Sequence, residues 1–390
     1  MEAEDFGVGR SATRSRRPST FCVMTIASGS RWRAAPVKST GRRARARRSR
    51  ARSSAVRGSI AGIIQSAGMG TRTQTTRLAP SPTGALHLGN ARTFLINWLM
   101  ARGAGWRIVL RIEDLDGPRI KSGADRQAME DLRWLGLDWD GEAVYQSPRA
   151  EVYRAATRRL LAEGKAYPCV CTRREVEVAA SAPHAEDGAA VYPGTCRGRF
   201  KTMEEAEAAS GRAPVVRFAM PAGEVSFVDG FRGPCRFDPA RELGDFVIMK
   251  ADGTAAYQLA VVIDDAEMGV TQVVRGDDLI DSTPRQMLLY EALGLADRVP
   301  AYTHLPLVVG TDGRRLAKRH GDTRLAHYRE RGVAVGPVLG LLGWWCGIDV
   351  GGGEVTLATL LERFDLAGLS REAIVFTEAD DRQLISSAGR

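Results

Sequence analysis

The sequence predicts an α/β fold in which a Rossmann-type parallel sheet is interrupted by an inserted subdomain. Strand and helix patterns alternate over residues 73–166 and again over residues 246–322. Residues 167–245 break this rhythm with short strands, and residues 323–390 show mostly helical patterns. We therefore expect two halves of one domain, a subdomain inserted between them, and a short helical C-terminal region.

The first strand–helix–strand unit indicates that the sheet is parallel. A short strand at Thr76–Ala79 leads into the loop Pro80–Leu86, and a helix at Ala91–Arg102 presents an apolar face. Gly103 and Gly105 favour the end of that helix, and Trp106–Ile112 is an apolar run of strand length. Such a unit places a ligand crevice at the carboxyl ends of its strands.

The remaining elements follow the same pattern. The apolar face of the first helix consists of Phe94, Leu95, Trp98 and Leu99. Further helices are predicted near Ala124–Trp134 and Glu151–Glu163, and short strands of the insertion at Val215–Met220 and Glu224–Asp229. The alternating pattern resumes with Phe246–Met249, Gln258–Asp265, Thr271–Val274 and Thr283–Leu293.

The bulk composition is that of a globular protein with two or three domains. The chain has 390 residues, of which 44% are hydrophobic and six are cysteines. No apolar run reaches the roughly 18 residues of a membrane span. Six cysteines in a chain of this length do not suggest a disulfide framework. We expect a cytoplasmic monomer without a membrane partner.

The net charge of +9 belongs to the N-terminal segment rather than to the body of the chain. Residues 1–68 hold 15 of the 55 lysines and arginines but only 3 of the 46 acidic residues. The rest of the chain therefore carries a small net negative charge. A nucleic-acid-binding face would have to be a local patch.

Two segments far apart in the chain carry the most specific signal. Arg77–Asn90 reads RLAPSPTGALHLGN, and Arg315–Asp322 reads RLAKRHGD. The pair resembles the HIGH signature and the KMSKS loop of class I aminoacyl-tRNA synthetases, in the form used by the glutamyl branch. The resemblance implies an enzyme that activates glutamate with magnesium-bound ATP and transfers it to a tRNA.

Activation of a carboxylate by ATP requires alignment and neutralisation of phosphate charge. The imidazole of His87 can donate to phosphate oxygens at a helix N-terminus, and Gly89 leaves space for the nucleotide. Asn90 departs in detail from the family pattern. The resemblance implies that Lys318 holds the migrating phosphates, while Arg315 stands in place of the first lysine of the loop and keeps its charge.

An amino-acid pocket for glutamate must recognise two carboxylates and one ammonium group, and arginine is the natural partner of a carboxylate. The resemblance implies that Arg77 and Arg275 contact glutamate, without showing which carboxylate each one reads. It implies that Glu113 takes the ammonium group and that Tyr257 lines the pocket. Ala79 and Ser81 would line it through the loop.

A cysteine cluster in the insertion predicts a structural zinc site. Cys169 and Cys171 are two residues apart, so on an extended segment both thiolates point the same way. Tyr192 and Cys196 could complete a four-coordinate site, and this pattern resembles the short paralogue of the glutamyl synthetases. Other candidates for the fourth ligand are His184 and Asp187. A reduced cysteine cluster without metal is the alternative.

The short length of chain after the Lys318 loop indicates the member of the branch. Full-length glutamyl enzymes carry a C-terminal anticodon-binding region, whereas here only residues 323–390 come after the loop. The chain therefore resembles the short paralogue that attaches glutamate to the queuosine base in the anticodon of tRNA(Asp), after activation without tRNA. The segment Leu86–Thr93 is closer to full-length enzymes, so a truncated synthetase charging the 3′ end of tRNA(Glu) is the alternative. A catalytically weak tRNA-binding module is disfavoured by the intact motif residues.

Residues 1–72 are expected to be a disordered basic extension or a misassigned start. The run Arg42–Arg50 cannot bury an apolar core. Three interpretations stay open: translation begins at Met69, the segment is an organelle transit peptide, or it is a nonspecific tRNA-binding arm. The acidic residues near the N-terminus weigh against transit.

Overall fold

The computed structural model describes residues 73–180, 191–316, 320–350 and 354–389. Lys318, the alternative ligands His184 and Asp187, and the basic segment 1–72 lie outside the described residues. The strands are β1 (Thr75–Leu78), β2 (Arg107–Ile112), β3 (Val144–Tyr145), β4 (Ala166–Cys169), β5 (Val215–Phe218), β6 (Val225–Asp229), β7 (Gly233–Phe237), β8 (Phe246–Met249), β9 (Gln272–Gly276), β10 (Ala301–Leu305), β11 (Val308–Val309) and β12 (Ile374–Val375).

The helices alternate with these strands in the first half of the described chain and dominate its end. They are α1 (Leu88–Ala104), α2 (Ala124–Trp134), α3 (Ala150–Ala162), α4 (Arg173–Ala180), α5 (Met203–Ser210), α6 (Pro239–Glu242), α7 (Tyr257–Glu267), α8 (Ser282–Ala292), α9 (Leu325–Glu330), α10 (Val335–Trp345), α11 (Leu357–Arg363) and α12 (Glu378–Ser386). No described helix is both long and apolar enough to span a membrane.

Parallel strand pairing runs through both halves of the α/β fold, as the first strand–helix–strand unit predicted. β1 pairs with β2, β2 with β3, and β9 with β10, all in parallel. β1 lies beside β9, since the backbone N–H of Thr271 donates to the carbonyl of Thr75 at 2.8 Å. The strands form two parallel sheets, β1-β2-β3 and β10-β9, which adjoin at β1 and β9. Read across this junction, the strand order changes direction between β1 and β9, and ligand crevices of α/β sheets lie at such a switch point.

The first helix is buried on more sides than its sequence pattern predicted. Leu95, Trp98 and Leu99 of the predicted face are buried, but so are the polar residues Arg92 and Asn97. The C-terminal helices α10 and α11 pack against α1. Arg92 donates to the carbonyl of Trp345 at the end of α10 at 3.2 Å and to the carbonyl of Pro306 at 2.7 Å. Long-range contacts therefore cover a face of α1 that the local pattern leaves exposed.

The inserted region contains an antiparallel sheet and a hairpin. β4, β5 and β8 pair antiparallel, and β6 and β7 form the hairpin. The sequence pattern placed Phe246–Met249 with the second half of the parallel sheet, whereas the structure pairs it with β5. An apolar run of strand length does not specify the strand that pairs with it, which is why the sequence could not show this.

The C-terminal region returns to the start of α1. The N–H of Leu88 donates to the carbonyl of Thr323 at 3.0 Å, and the N–H of Leu325 donates to the carbonyl of Leu86 at 2.9 Å. β12 adds a short parallel pairing to β11. The segment after the second motif is thereby fixed to the first motif.

Candidate active site

A cleft of about 700 Å³ lies at the carboxyl ends of β1 and β9, where the strand order reverses. Its walls include every described residue that the sequence singled out for catalysis or for binding glutamate and ATP. These residues are Arg77, Ala79, Ser81, His87, Gly89, Asn90, Glu113, Tyr257, Arg275 and Arg315. The structure thus brings together side chains that are up to 238 positions apart in the sequence.

His87 occupies the N-cap position of α1 and holds a defined tautomer. The backbone N–H of Gly89 donates to its Nδ1 at 3.2 Å. Because Nδ1 accepts, Nε2 carries the proton of the neutral ring and can donate into the cleft. Burial, aided by the positive charge of Arg315, lowers the pKa of His87 to about 4. The imidazole is therefore a neutral donor at pH 7.

Gly89 allows the His87 ring to fold over the start of the helix. A Cβ atom at this position would lie 3.1 Å from two atoms of the His87 ring. Any larger residue would push the ring away from the helix N-terminus. The sequence suggested that Gly89 leaves space for a nucleotide, and the structure adds this packing reason.

The flanks of the second motif lie beside the first. Arg315 forms an isolated β-bridge with Val309, and its Nη1 donates to Asp278 Oδ2 at 2.6 Å. On the other side of the motif, Arg324 forms a bridge with His87. Both described ends of the loop that carries Lys318 are therefore fixed next to the His87 end of the cleft.

The other end of the cleft is dominated by buried positive charge. Arg275 at the end of β9 is 5% exposed. Its Nη1 donates to Gln286 Oε1 at 2.9 Å and its Nη2 donates to Thr283 Oγ1 at 2.8 Å. The guanidinium also lies 5.2 Å from the centre of the Tyr302 ring. These contacts hold it in one orientation at the cleft wall.

A second buried cluster surrounds Arg111, which sequence reasoning missed. Its guanidinium donates to Asp265 Oδ1 at 2.5 Å and to Glu113 Oε1 at 3.0 Å. Nε of Arg77 lies 3.6 Å from the same Asp265 oxygen. Burial raises the pKa of Glu113, opposed by the charges of Arg111 and Arg77. Two arginines and two carboxylates therefore share one buried site.

A signal for the missed residues was present in the sequence. Arg111 is a charged residue inside an apolar strand pattern, and Asp265 ends the apolar run of α7. Charges at buried positions are paired, so each should have indicated a partner. Which residues pair could not be deduced, because they are 154 positions apart.

The rim beyond Glu113 carries further charged residues that sequence reasoning did not single out. Lys250 Nζ lies 3.4 Å from Asp116 Oδ1 and donates to the carbonyl of Leu115 at 3.3 Å. Arg119 lies 2.7 Å from the other oxygen of Asp116. All four residues line the cleft.

The predicted metal ligands converge in the inserted region. The Sγ atoms of Cys169, Cys171 and Cys196 all lie within 4.8 Å of one another. The hydroxyl of Tyr192 lies 3.3 Å from Cys169 Sγ and 3.4 Å from Cys171 Sγ. Four donor atoms from two segments of the chain therefore face one point, and the cluster could hold a metal ion.

The dimensions of this cluster fit a small tetrahedral ion. Donors at about 2.3 Å for sulfur and about 2.0 Å for oxygen lie about 3.5–3.8 Å apart around zinc. Arg217 Nε donates to Cys169 Sγ at 3.2 Å, and its guanidinium lies 3.9 Å from the centre of the Tyr192 ring. The positive charge of Arg217 favours the thiolate and phenolate forms in which these side chains would bind a metal ion. Burial raises the pKa of Cys171 to about 11, so metal binding would release its proton.

Comparison with known proteins identifies the family. The catalytic domain described as tRNA synthetases class I (E and Q) matches residues 74–359, which is most of the chain. The chain belongs to the class I tRNA synthetases of this branch. The family predicted from the two motifs is thus confirmed, and the chain is a ligase of this class.

Relatives of this class I synthetase include proteins with two different names. A glutamyl-Q tRNA(Asp) synthetase from Symbiobacterium thermophilum is 52% identical, and the match covers 76% of this chain and 94% of that protein. A glutamate–tRNA ligase from Oleidesulfovibrio alaskensis is 46% identical, covering 77% of this chain and 63% of that protein. These matches confirm the predicted resemblance to the short paralogue.

A solved structure matches the synthetase fold over most of the chain. It is a glutamate tRNA ligase from Elizabethkingia meningosepticum in complex with its amino acid. The TM-score is 0.67 at 29% identity, and the match covers 80% of this chain and 69% of that one.

Proposed function

We propose that this synthetase activates glutamate with ATP in the absence of tRNA and transfers it to the queuosine base in the anticodon of tRNA(Asp). In the first step, a carboxylate oxygen of glutamate attacks the α-phosphorus of ATP, and pyrophosphate leaves. In the second step, a queuosine hydroxyl attacks the carbonyl carbon of the adenylate, and AMP leaves. The observation that carries the proposal is the convergence of both motifs and the buried arginines on one cleft.

The arginine end of the cleft fits a diacid. Arg275 and Arg77 supply two buried cations, and Glu113 supplies one carboxylate that can accept from an ammonium group. Arg77 already lies 3.6 Å from Asp265, whereas Arg275 has no carboxylate partner among the described residues, so a neutral or cationic side chain would leave Arg275 buried without an anion. Tyr257, at the first turn of α7, lines the same wall. We therefore assign this end to glutamate.

The His87 end of the cleft fits the phosphates of ATP. The Nε2–H of His87 donates from the N-terminus of α1, where the helix dipole favours negative charge. Arg315 adds a positive charge at the same end. We assign the same task to Lys318, on its place in the second motif. Magnesium would accompany ATP as part of the substrate.

The choice of acceptor rests on the relatives. Proteins named glutamyl-Q tRNA(Asp) synthetase match at 52% and 53% identity, and a glutamate–tRNA ligase matches at 46%. The alternative, charging of the 3′ end of tRNA(Glu), is favoured by the matches to glutamate–tRNA ligases. Both alternatives use the same activation step and differ in the acceptor hydroxyl.

Two assays test the proposal. ATP–pyrophosphate exchange that depends on glutamate without tRNA is expected, and absence of exchange would contradict the activation step. Labelled glutamate is then offered to queuosine-containing tRNA(Asp), to the same tRNA lacking queuosine, and to tRNA(Glu). Label on the first tRNA alone is expected, and the product should survive removal of the 3′ adenosine. Label on tRNA(Glu) alone would favour the alternative.

We further propose that the cysteine cluster holds one structural Zn²⁺ through Cys169, Cys171, Cys196 and Tyr192. Bound there, the ion would tie β4 to the segment around Cys196. Wild-type protein is expected to contain one zinc per chain, and Cys196→Ala is expected to lose it. Cys235→Ala is the matched control, because Cys235 is a free thiol on β7 outside the cluster. Negligible zinc in wild type would remove this site.

A further inference from the structure

A buried histidine–aspartate pair lies behind the arginine of the glutamate end. His304 on β10 is fully buried, and Arg275 Nε donates to its Nε2 at 3.0 Å. On the far side of the ring, Nδ1 lies 2.7 Å from Asp229 Oδ2. The side chains of His304 and Asp229 are both 0% exposed. Three charged or titratable groups therefore form one line that ends at the cleft wall.

The hydrogen bonds in this line fix the tautomer of the histidine. A guanidinium can only donate, so His304 Nε2 must accept from Arg275. The ring proton is then on Nδ1 and is donated to Asp229. The hydroxyl of Thr283 lies 3.3 Å from Nε2 and accepts from Arg275 Nη2, so it holds the guanidinium through a second nitrogen. Each polar atom in the line has one consistent role.

The aspartate is itself fixed by the backbone of the inserted hairpin. Its Oδ1 accepts from the N–H groups of Phe231 and Arg232 at 2.9 and 2.8 Å. The N–H of His304 also donates to the carboxylate. Asp229 ends β6, so the hairpin of the inserted region reaches the back of the pocket. The line therefore joins this hairpin to the parallel sheet.

Arg275 keeps part of its donor capacity for a ligand. A guanidinium has five N–H groups. Nε donates to His304, Nη1 donates once to Gln286, and Nη2 donates once to Thr283. One N–H on each terminal nitrogen is left over from these bonds. Two such donors match the two oxygens of a carboxylate.

We propose that His304 and Asp229 are positioning residues that orient Arg275 toward a carboxylate of glutamate. Neither residue lines the cleft, so both act through the arginine. The proposal rests on the proposed function, since it takes glutamate as the ligand of Arg275. It extends that function by giving the hairpin of the inserted region a part in amino-acid recognition.

The variant Asp229→Asn tests the line with little change in shape. If the amide oxygen faces the backbone donors of the hairpin, the amide NH₂ faces Nδ1 of His304. The histidine must then accept at Nδ1 and carry its proton on Nε2, which points that proton at the N–H of Arg275. We expect the guanidinium to shift and the dissociation constant for glutamate to rise about 10- to 100-fold.

Two variants at position 304 test the same proposal independently of Asp229→Asn. Gln at position 304 offers both an acceptor and a donor, whereas Leu offers neither. We expect His304→Leu to weaken glutamate binding as much as Asp229→Asn, and His304→Gln to recover part of the affinity. Asp365→Asn is the matched control, because Asp365 is an exposed aspartate that also accepts from a backbone N–H. This control should bind glutamate as wild type does.

The experiment measures glutamate binding by calorimetry, the KM of ATP in the exchange assay, and the thermal midpoint of each full-length variant. Weaker glutamate binding with an unchanged KM for ATP and a midpoint near wild type supports the proposal. Unchanged glutamate affinity in His304→Leu, or equal losses for glutamate and ATP, would overturn it. Wild type that binds glutamate without exchange contradicts the proposed function alone. Wild type that does not bind glutamate overturns both.

Discussion

The two ends of the cleft hold positive charge in different ways. At the glutamate end, Arg275 and Arg77 are each 5% exposed. Arg275 donates to His304, Gln286 and Thr283, while Arg77 donates to the carbonyl of Val274 and lies 3.6 Å from Asp265. At the nucleotide end, the Arg315 side chain is 56% exposed and pairs with Asp278, which is 28% exposed. Buried bonds in a low dielectric are strong and directional, whereas exposed pairs are screened by water.

This difference indicates a division of tasks. A rigid, buried end suits selection of one amino acid, because a wrong ligand leaves charge unpaired. The His87 end carries its arginine on an exposed loop. Such a loop suits a cation that must stay with the phosphates as they move apart, because loop closure can change the position of the cation. The effects of substitutions on activity should therefore be larger at the glutamate end, and those at the His87 end should depend more on salt concentration.

The largest effect is expected at Arg275. Arg275→Leu removes a buried donor pair and should lower kcat/KM for glutamate by about 10⁴-fold, since a site built to hydrogen-bond its ligand is left unsatisfied. Arg275→Lys keeps the charge without the planar fork and should recover only part of the loss. Exchange kinetics at varied glutamate and fixed ATP measure both. A loss confined to the KM of ATP would contradict the assignment of this end.

Lys318→Ala should come next, with a rate loss of about two to four orders of magnitude if this lysine acts in the transition state. The loss should fall on kcat and leave glutamate binding unchanged, because Lys318 belongs to the motif at the nucleotide end. Arg382→Ala, an exposed arginine on α12, serves as the control for loss of a surface cation. An equal rise in the dissociation constant of glutamate would argue against two separate ends.

Arg315→Gln should have a smaller effect that also appears in the pH profile. Loss of an exposed cation should slow activation about tenfold, and less at high salt. The charge of Arg315 also helps to lower the pKa of His87, so its removal should raise that pKa from about 4. Protonation of His87 removes the acceptor on its Nδ1. The fall in rate on the acid side of the pH–rate profile should therefore occur at higher pH in the variant. Activation rates of wild type and variant between pH 4 and 7 measure this shift. If the acid side of the profile stays at the same pH, the charge of Arg315 does not influence His87.

The sequence predicted the general fold and the residues of the cleft better than the pairs behind it. The parallel strand pairing follows from one strand–helix–strand unit, and His87, Arg275 and Arg315, which the motifs single out, line one cleft. The pairing of β8 with β5 and the line from Asp229 to His304 were not predicted. These contacts join residues 28 to 33 positions apart in the strand pairing and 75 positions apart in the histidine–aspartate pair, and no local pattern encodes the partner of a buried charge.

The smallest expected effect concerns a buried carboxylate outside the cleft. Asp131 on α2 has one oxygen with no hydrogen-bond partner among the described residues, and its other oxygen accepts from Gln127 and lies 3.6 Å from Arg329. Burial raises its pKa to about 6. By contrast, Asp265 is held by two buried arginines. Asp131 thus has the burial of the glutamate end with one partly exposed arginine in place of two buried ones, and its carboxylate should cost stability once ionised.

The pH dependence of stability gives the sign of this cost. The folded-state pKa of Asp131 is above that of the unfolded chain, about 3.9, so the folded state binds more protons between these values. The protonated Asp131 side chain therefore stabilises the folded state at acid pH, and this stabilisation is lost as pH rises through about 6. Asp131→Asn removes the ionisation and should raise the unfolding free energy by about 1 kcal/mol at pH 7.5 and by little at pH 4.5. Urea unfolding at both pH values checks this, and the same substitution at Asp265 should destabilise instead. A gain of equal size at both pH values would show that ionisation of Asp131 is not the cause.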